Sequence, residues 1–379
     1  MFLGIKISKV IKVLTLILLT FLTCTAPRAF TISIQETINA STPGEKVVIR
    51  KGEYVEQVII NKTVHLIGED PNAVIINSNG KGNVITIFGE HIFLESLSIK
   101  NSGNGFAGVH VKAKNVTIVN CLIMDCYIGI RIDSTSKTRI INCTLLNNTL
   151  AGIWIWGACE DVEIHNCTIA GSKYAVGLLT FSQRNTLLNN VIYNNYVGVA
   201  LINSRENQII KNKILNNTYG LWFEDRLSTE NVVSKNTLSN NTCGIYINIF
   251  NEGSTNNLFY NNNFINNTVQ VRLEPLYYSI NHWNLSYPLG GNYWSDHASK
   301  DSDSDGFLDK PYVIAKNNVD YYPLASPYRE AIVEKISDKE WFSQIIIAII
   351  VIVAVYGLTY LLFRRRRPGQ QTPREVLNL

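Results

Sequence analysis

The chain has 379 residues, of which 17% are charged, and a formal net charge of +4. Four of the positive charges are the run Arg364 to Arg367. The remainder is near neutral and lacks the basic stripe of a nucleic-acid binder. Length alone would suggest two domains, but an internal repeat takes precedence over it.

The N-terminus carries Lys6, Lys9 and Lys12, then the apolar run Val13 to Leu22, then small residues up to Ala26 and Ala29. This reads as a secretory leader over 1–29. Cys24 follows Leu22-Thr23, a poor lipoprotein box, and is expected to leave with the leader. Next, Ser33 to Ala40 fits a short amphipathic helix with Ile34 and Ile38 on one side. It would close the open end of a stacked core. After the Pro43-Gly44 turn, Lys46 to Arg50 begins a strand that Gly52-Glu53-Tyr54 and Val58-Ile59-Ile60 continue. Val64–Ile67, Val74–Ile76 and Val84–Ile87 are further short strands. The Leu94, Leu97 and Ile99 turn joins the repeat register.

From Ile118 to Leu273 one motif is written seven times. An apolar column runs Ile118, Ile140, Ile164, Leu187, Ile209, Val233, Phe259, in steps of 22, 24, 23, 22, 24 and 26 residues. Three residues on stand Cys121, Cys143, Cys167, Asn190, Asn212, Asn236 and Asn262. A second apolar column follows at Ile123, Leu145, Ile169, Ile192, Ile214, Leu238 and Phe264. Cys126, Asn148, Ser172, Asn195, Asn217, Asn241 and Asn267 come next. A glycine then precedes an apolar-x-apolar strand, except that Gln270 stands there in the last repeat.

Repeats of this length, built from period-2 strands, fit turns of a β-solenoid that share one core. A fixed asparagine suits a turn and stacks into an amide ladder. The expected fold is an all-β, single-stranded right-handed parallel β-helix of about ten turns, over 30–280. Cys121, Cys143 and Cys167 lie on neighbouring rungs within disulfide reach. The simpler reading is that they replace asparagine in the ladder.

Residues 281–328 form a cap containing Asp301-x-Asp303-x-Asp305-Gly306-x-x-Asp309. Acids at alternate positions converge on a hard cation, so calcium is expected on Asp301, Asp303, Asp305 and Asp309. Tyr312 stands where an EF-hand has its closing glutamate. After a linker at 329–344, Ile345 to Phe363 is an uncharged run of 19 residues. At about 1.5 Å per residue it would cross a bilayer. The basic tail 364–379 places it in the cytoplasm and the solenoid outside. The expected localisation is therefore a single-pass cell-membrane protein.

The opening PGEKVVIRKGEYVEQVIINKTVHLIGED and the segment Gly290 to Leu324 resemble the start and the C-terminal cap of NosD-like right-handed parallel β-helix proteins. With the repeats, the resemblance covers about residues 31 to 325. It implies the fold, an envelope location, and one of three roles: copper delivery, carbohydrate binding or sugar hydrolysis. Copper fits poorly. Cu(I) wants Cys or Met and Cu(II) wants His, whereas the expected mature chain has only Met124, and its histidines lack ligand spacing.

The strand after the repeat glycine alternates, so its second and fourth residues face outward. The first outward column is read as His110, Arg131, Trp154, Leu179, Ala200, Trp222, Tyr246 and Arg272. The second is read as Lys112, Asp133, Trp156, Phe181, Ile202, Glu224, Asn248 and Glu274. Exposed aromatics among charges suit sugar faces and hydroxyls. The expected ligand-binding residues are Arg131, Asp133, Trp154, Trp156, Phe181, Trp222, Tyr246 and Asn248, and the partner is carbohydrate or a cell-surface protein. If the face were that of a polysaccharide hydrolase or lyase, Glu224 and Glu274, two turns apart, with Asp225 nearby, would be the acids. A purely structural envelope role is the third alternative. Ten N-x-[ST] sequons complete the inventory: Asn39, Asn61, Asn115, Asn142, Asn147, Asn166, Asn216, Asn240, Asn266 and Asn284.

Overall fold

The structure, a computed structural model, describes residues 33–248, 254–274 and 280–329. The chain divides into two units, Met1–Tyr328 and Arg329–Leu379, and the first is described here. The expected leader and the expected span Ile345–Phe363 lie outside the described residues. Among those described, no helix is long and apolar enough to cross a membrane.

The first unit is a parallel β-solenoid with three faces. Sheets A and C have ten strands each and sheet B has eleven. Each turn visits A, B and C in order. Lys46–Ile49 starts A, Gly52–Val55 starts B and Val58–Ile60 starts C. The strands expected to continue one another therefore lie on three different sheets. In-register pairing begins at once, with Lys46 opposite His65, two turns before the sequence repeat becomes regular.

Both apolar columns are fully buried, with 0% exposure from Ile118 to Phe259 and from Ile123 to Phe264. Each such side chain contributes roughly 1.5–3 kcal/mol of burial. A helix, α1 (Ile34–Ala40), closes the first turn, with Ser33 as its N-cap and Ile34 and Ile38 buried.

Asparagine has two separate jobs at the corners, and they fall on adjacent residues. The outward residue takes left-handed backbone: Asn189, Asn194, Asn216 and Asn240 have φ of 57°, 56°, 56° and 55°. The next residue points inward and builds the ladder. Asn190 bonds through its backbone N–H to Asn212 Oδ1 at 2.9 Å, and Asn212 to Asn236 at 2.8 Å. The second ladder runs Asn195, Asn217, Asn241, Asn267. A third, Asn185, Asn207, Asn231, Asn257, lines the corner from C to A. It lies two residues before the first apolar column and is just as periodic, yet the sequence reading passed over it.

Cys121, Cys143 and Cys167 are free, buried thiols. They continue the first ladder, and the Cys167 N–H donates to Asn190 Oδ1 at 2.8 Å. Stacking of thiol on thiol, then burial, raises the Cys143 and Cys167 pKa. The repeat glycines are required by close stacking. A Cβ on Gly129 would lie 2.5 Å from the Gly152 carbonyl oxygen.

The ladders continue past Leu273. Asn281 and Asn292 add the next rungs, accepting from Asn257 and Asn262 at 3.0 and 3.1 Å. Tyr293–Trp294 adds the eleventh strand of sheet B. Trp294 stacks between Phe264 and Tyr312, with centroids 4.2 and 4.1 Å away. Gln270 stands in the repeat-glycine position on the last strand of sheet C. Its Oε1 accepts from Asn267 at 2.9 Å.

Candidate functional site

The outer face of sheet C carries the chemistry. Its first column, read from strand pairing, is His110, Arg131, Trp154, Gly177, Ala200, Trp222, Tyr246, Arg272. The second contains Asp133 and Trp156 as one pair, then Leu179, Ile202, Glu224, Asn248 and Glu274. One turn differs from expectation. Ala175, not Gly177, takes the repeat-glycine position, because Gly177 pairs with Trp154 and Ala200. Leu179 therefore belongs to the second column. Phe181 leaves the face at a left-handed turn (φ 66°) and is 58% exposed elsewhere, beside Gln183, Arg205 and Leu227.

Gly177 has a local purpose. A Cβ there would meet the Trp154 ring at 2.7 Å, so the missing side chain lets the indole lean over the sheet. Trp154 also packs on Tyr174, centroids 5.5 Å apart. Two turns further on, Tyr219 contacts Tyr196, Trp222 and Tyr246 at 5.5, 4.9 and 5.2 Å. The interplanar angles in this second group run from 35° to 82°. The rings thus form two clusters, each internally packed at tilted or edge-on angles. Trp156 and Tyr196 stay 44% and 45% exposed, whereas Tyr246 is 9% exposed. Trp222 is half-buried, and its indole Nε1 is enclosed without a hydrogen-bond partner. Tyr174, Tyr196 and Tyr219 were missed by the sequence reading. Their signal was an aromatic one or two residues before the repeat-glycine position.

Polar networks flank the rings. At one end His110 Nε2 lies 2.8 Å from Asp133, and Arg131 Nε donates to the same carboxylate at 2.9 and 3.0 Å. Burial pushes the Asp133 pKa upward, but the His110 and Arg131 hydrogen bonds outweigh it and hold it below the ordinary value. At the other end Tyr246 donates to Glu274 at 2.7 Å and Arg272 Nε does so at 2.7 Å, which lowers the Glu274 pKa. Glu224 is different: burial first, then Asp225, raises its pKa. Asp225 itself accepts from Asn203 at 2.8 Å. Glu224, Asn248 and Glu274 occupy successive rungs, so the two glutamates are two turns apart as expected.

In the cap, Asp301, Asp303 and Asp305 bring carboxylate oxygens within 4.8 Å of one another. Asp309 does not join them. It accepts from Ser302 N–H and Oγ at 3.1 and 2.6 Å. Among the described residues this is the one gathered group of three His, Cys, Asp or Glu donors, and it is all oxygen. The soft and imidazole donors that copper prefers are dispersed or engaged. His65 faces Glu95, His110 faces Asp133, His297 meets the Lys310 carbonyl, and the thiols are buried. The residues present do not fit a copper site.

A family profile described as "Periplasmic copper-binding protein (NosD)" matches residues 55–228 and 157–299. A cell surface glycoprotein of Methanothermus fervidus is 26% identical over 311 residues, which is 69% of this chain and 51% of that protein. The chain thus spans about half the length of the curated relative it matches. Among solved structures, pectate lyase Pel9A superposes with a TM-score of 0.56 at 14% identity, covering 80% of this chain and 85% of that one. At that identity the likeness is one of fold. The A-module of Azotobacter vinelandii mannuronan C-5 epimerase AlgE4 gives a TM-score of 0.45 at 14% identity, over 69% of this chain and 85% of that one. That likeness carries no argument.

Proposed function

The chain belongs to the NosD family of parallel β-helix proteins, and on that premise we propose that it is an exported, membrane-anchored solenoid that binds carbohydrate along the outer face of sheet C. The observation that carries this reading is the gathering of exposed rings, Trp156 on the outer face of sheet C and Tyr196 at its edge, with half-buried Trp154 and Trp222 on that face. Rings held rigid by packed neighbours offer apolar surface to a sugar at little entropic cost. The Arg131–Asp133 and Arg272–Glu274 groups at either end supply donors and acceptors for hydroxyls. The exported location is supported by the family's periplasmic description and by the surface location in the relative's name. The test is binding of oligosaccharides to the full chain, with and without Trp154→Ala and Trp222→Ala.

A second reading, hydrolysis, is favoured by one observation. Glu224 is held toward its protonated form and Glu274 toward its ionised form, the split an acid–base pair needs. Two rungs separate them by about 10 Å at the backbone, near the inverting range of about 6.5–9.5 Å between carboxyls. Release of reducing ends, abolished by Glu224→Gln, would carry this reading over simple binding.

The Asp301–Asp305 cluster supports a calcium ion that stiffens the cap. Its carboxylates already order the loop: Asp301 accepts from the N–H groups of Asp305 and Gly306, Asp303 shares that of Asp305, and Asp305 accepts from that of Phe307.

A further inference from the structure

The ten sequons have no part in the function above, and the structure sorts them. From Asn115 onward, a left-handed outward residue directly precedes the inward residue of each corner in the regular repeats. At the corner from C to A the outward positions include Lys137, Asp161, Arg184, Glu206 and Glu230. At the corners bordering sheet B they are mostly asparagine. Where threonine follows two residues later, the corner becomes a sequon. Asn142 and Asn166 lie on the edge between A and B, and Asn147, Asn216, Asn240 and Asn266 on the edge between B and C.

All six are exposed. The side-chain amides of Asn147, Asn166, Asn216, Asn240 and Asn266 take part in none of the hydrogen bonds of the described residues, so a substituent there displaces nothing. Asn147 also has room. The next rung on its edge is Gly171, where a Cβ would come within 2.5 Å of Asn147 Oδ1. Asn284 is the contrast. It is half-buried, its Oδ1 accepts the Tyr321 N–H at 3.0 Å and its Nδ2 donates to the Leu285 carbonyl at 3.0 Å.

We propose that the two edges of sheet B carry N-linked glycans, with Asn147 and the Asn216–Asn240–Asn266 file as principal acceptors and Asn284 left bare. The inference rests on the exported location of the reading above. The donor is an oligosaccharide linked to a lipid phosphate, used by a membrane transferase. The asparagine Nδ2 forms a bond to the anomeric carbon, and the bond from that carbon to the phosphate oxygen breaks. The lipid phosphate leaves with the electron pair, and one amide proton passes to a base of the transferase. Nothing is oxidised or reduced. Successive rungs are about 4.8 Å apart, so glycans in the file crowd one another and share partial occupancy, whereas Asn147 stands alone. Between these edges, sheet B presents half-buried Leu122, Met124, Leu146, Leu215 and Ile265 outward. Glycans on both sides would shade that apolar face and leave the sheet C rings open.

The test is glycopeptide mass spectrometry on the full chain purified from its own cells, with the N-terminus sequenced in parallel. The expected result is a sugar mass on nearly all Asn147, partial masses within the file, and unmodified Asn284. Asn147→Gln should remove one glycan mass. A processed N-terminus with bare Asn147 and a bare file would overturn this inference and leave the exported location standing. Asn284 as fully modified as Asn147 would overturn the structural sorting. An intact leader with no sugar anywhere would overturn both readings.

Discussion

The buried carboxylate of Asp320 accepts the backbone N–H of Asn292 at 2.7 Å, which places a charge on the last rung of the ladder that Asn190, Asn212, Asn236 and Asn262 build. The Trp294 indole and the Tyr322 N–H donate to the same carboxylate at 2.9 and 3.1 Å. Gly291 makes room for it, since a Cβ there would lie 1.8 Å from Asp320 Oδ1.

That arrangement predicts a pH dependence. Burial raises the Asp320 pKa from 3.8 to about 6 despite the hydrogen bonds it accepts from Asn292, Trp294 and Tyr322. The folded cap therefore holds the proton more tightly than the unfolded chain. The resulting stabilisation is fully present below about pH 4 and is lost as pH rises through about 6. Its size is about 3 kcal/mol at most, at 1.36 kcal/mol per unit. Denaturation followed by the cap tryptophans should show stability falling across this window. Asp320→Asn should flatten the dependence, and a slope unchanged in that variant would count against it.

The division of labour at the corners is testable with adjacent residues. Asn212→Ala removes the acceptor for the Asn190 N–H and Nδ2, at 2.9 Å each, and leaves buried donors unpaired. The expected loss is about 2–3 kcal/mol. Asn216→Gly keeps the left-handed corner and should stay within about 0.5 kcal/mol. Equal losses in denaturant melts of the two variants would show that the ladder is not what stabilises the coil.

The columns were legible in the sequence because a shared core forces each turn to repeat the same burial. What escaped was what occurs once or breaks a local rule. Ala175 in the glycine position shifted one turn by two residues and put Phe181 on the wrong face. Asn281 and Asn292, and the cap strand Asn318–Asp320 whose Asn318 and Asp320 accept their N–H groups, finish the ladders outside the periodic repeat, so no spacing announced them. The aromatic side chains were found in part. Trp154, Trp156, Trp222 and Tyr246 follow from alternation. Tyr174 and Tyr219 open their strands and Tyr196 precedes its own, all ahead of the glycine position where the alternation was read from. Their tilted packing is tertiary and left no period to read.

Calcium should act on the cap alone. Titration of the full chain is expected to raise the midpoint of cap unfolding, and chelator to lower it. Asp301→Asn should weaken the effect at least several-fold. Asp309→Asn should weaken it less, because that side chain is turned to Ser302. Identical midpoints in calcium and chelator would remove the ion from the account.

Glu224 separates binding from turnover. If sheet C only binds, Glu224→Gln leaves affinity within about twofold and the wild-type chain releases no reducing ends. Measurable release that disappears in Glu224→Gln, with a pH profile governed by an acid above the ordinary glutamate range, would assign hydrolysis to this face.

The most direct measurement is a glycan array on the purified full chain, followed by titration calorimetry on any hit, for the wild type and for Trp154→Ala with Trp222→Ala. The account predicts saturable binding by the wild type and at least a tenfold loss in the double variant, with its circular dichroism and melting of the coil preserved. A folded wild-type chain that binds no glycan, or a double variant that binds as tightly as the wild type, would contradict a carbohydrate site on sheet C.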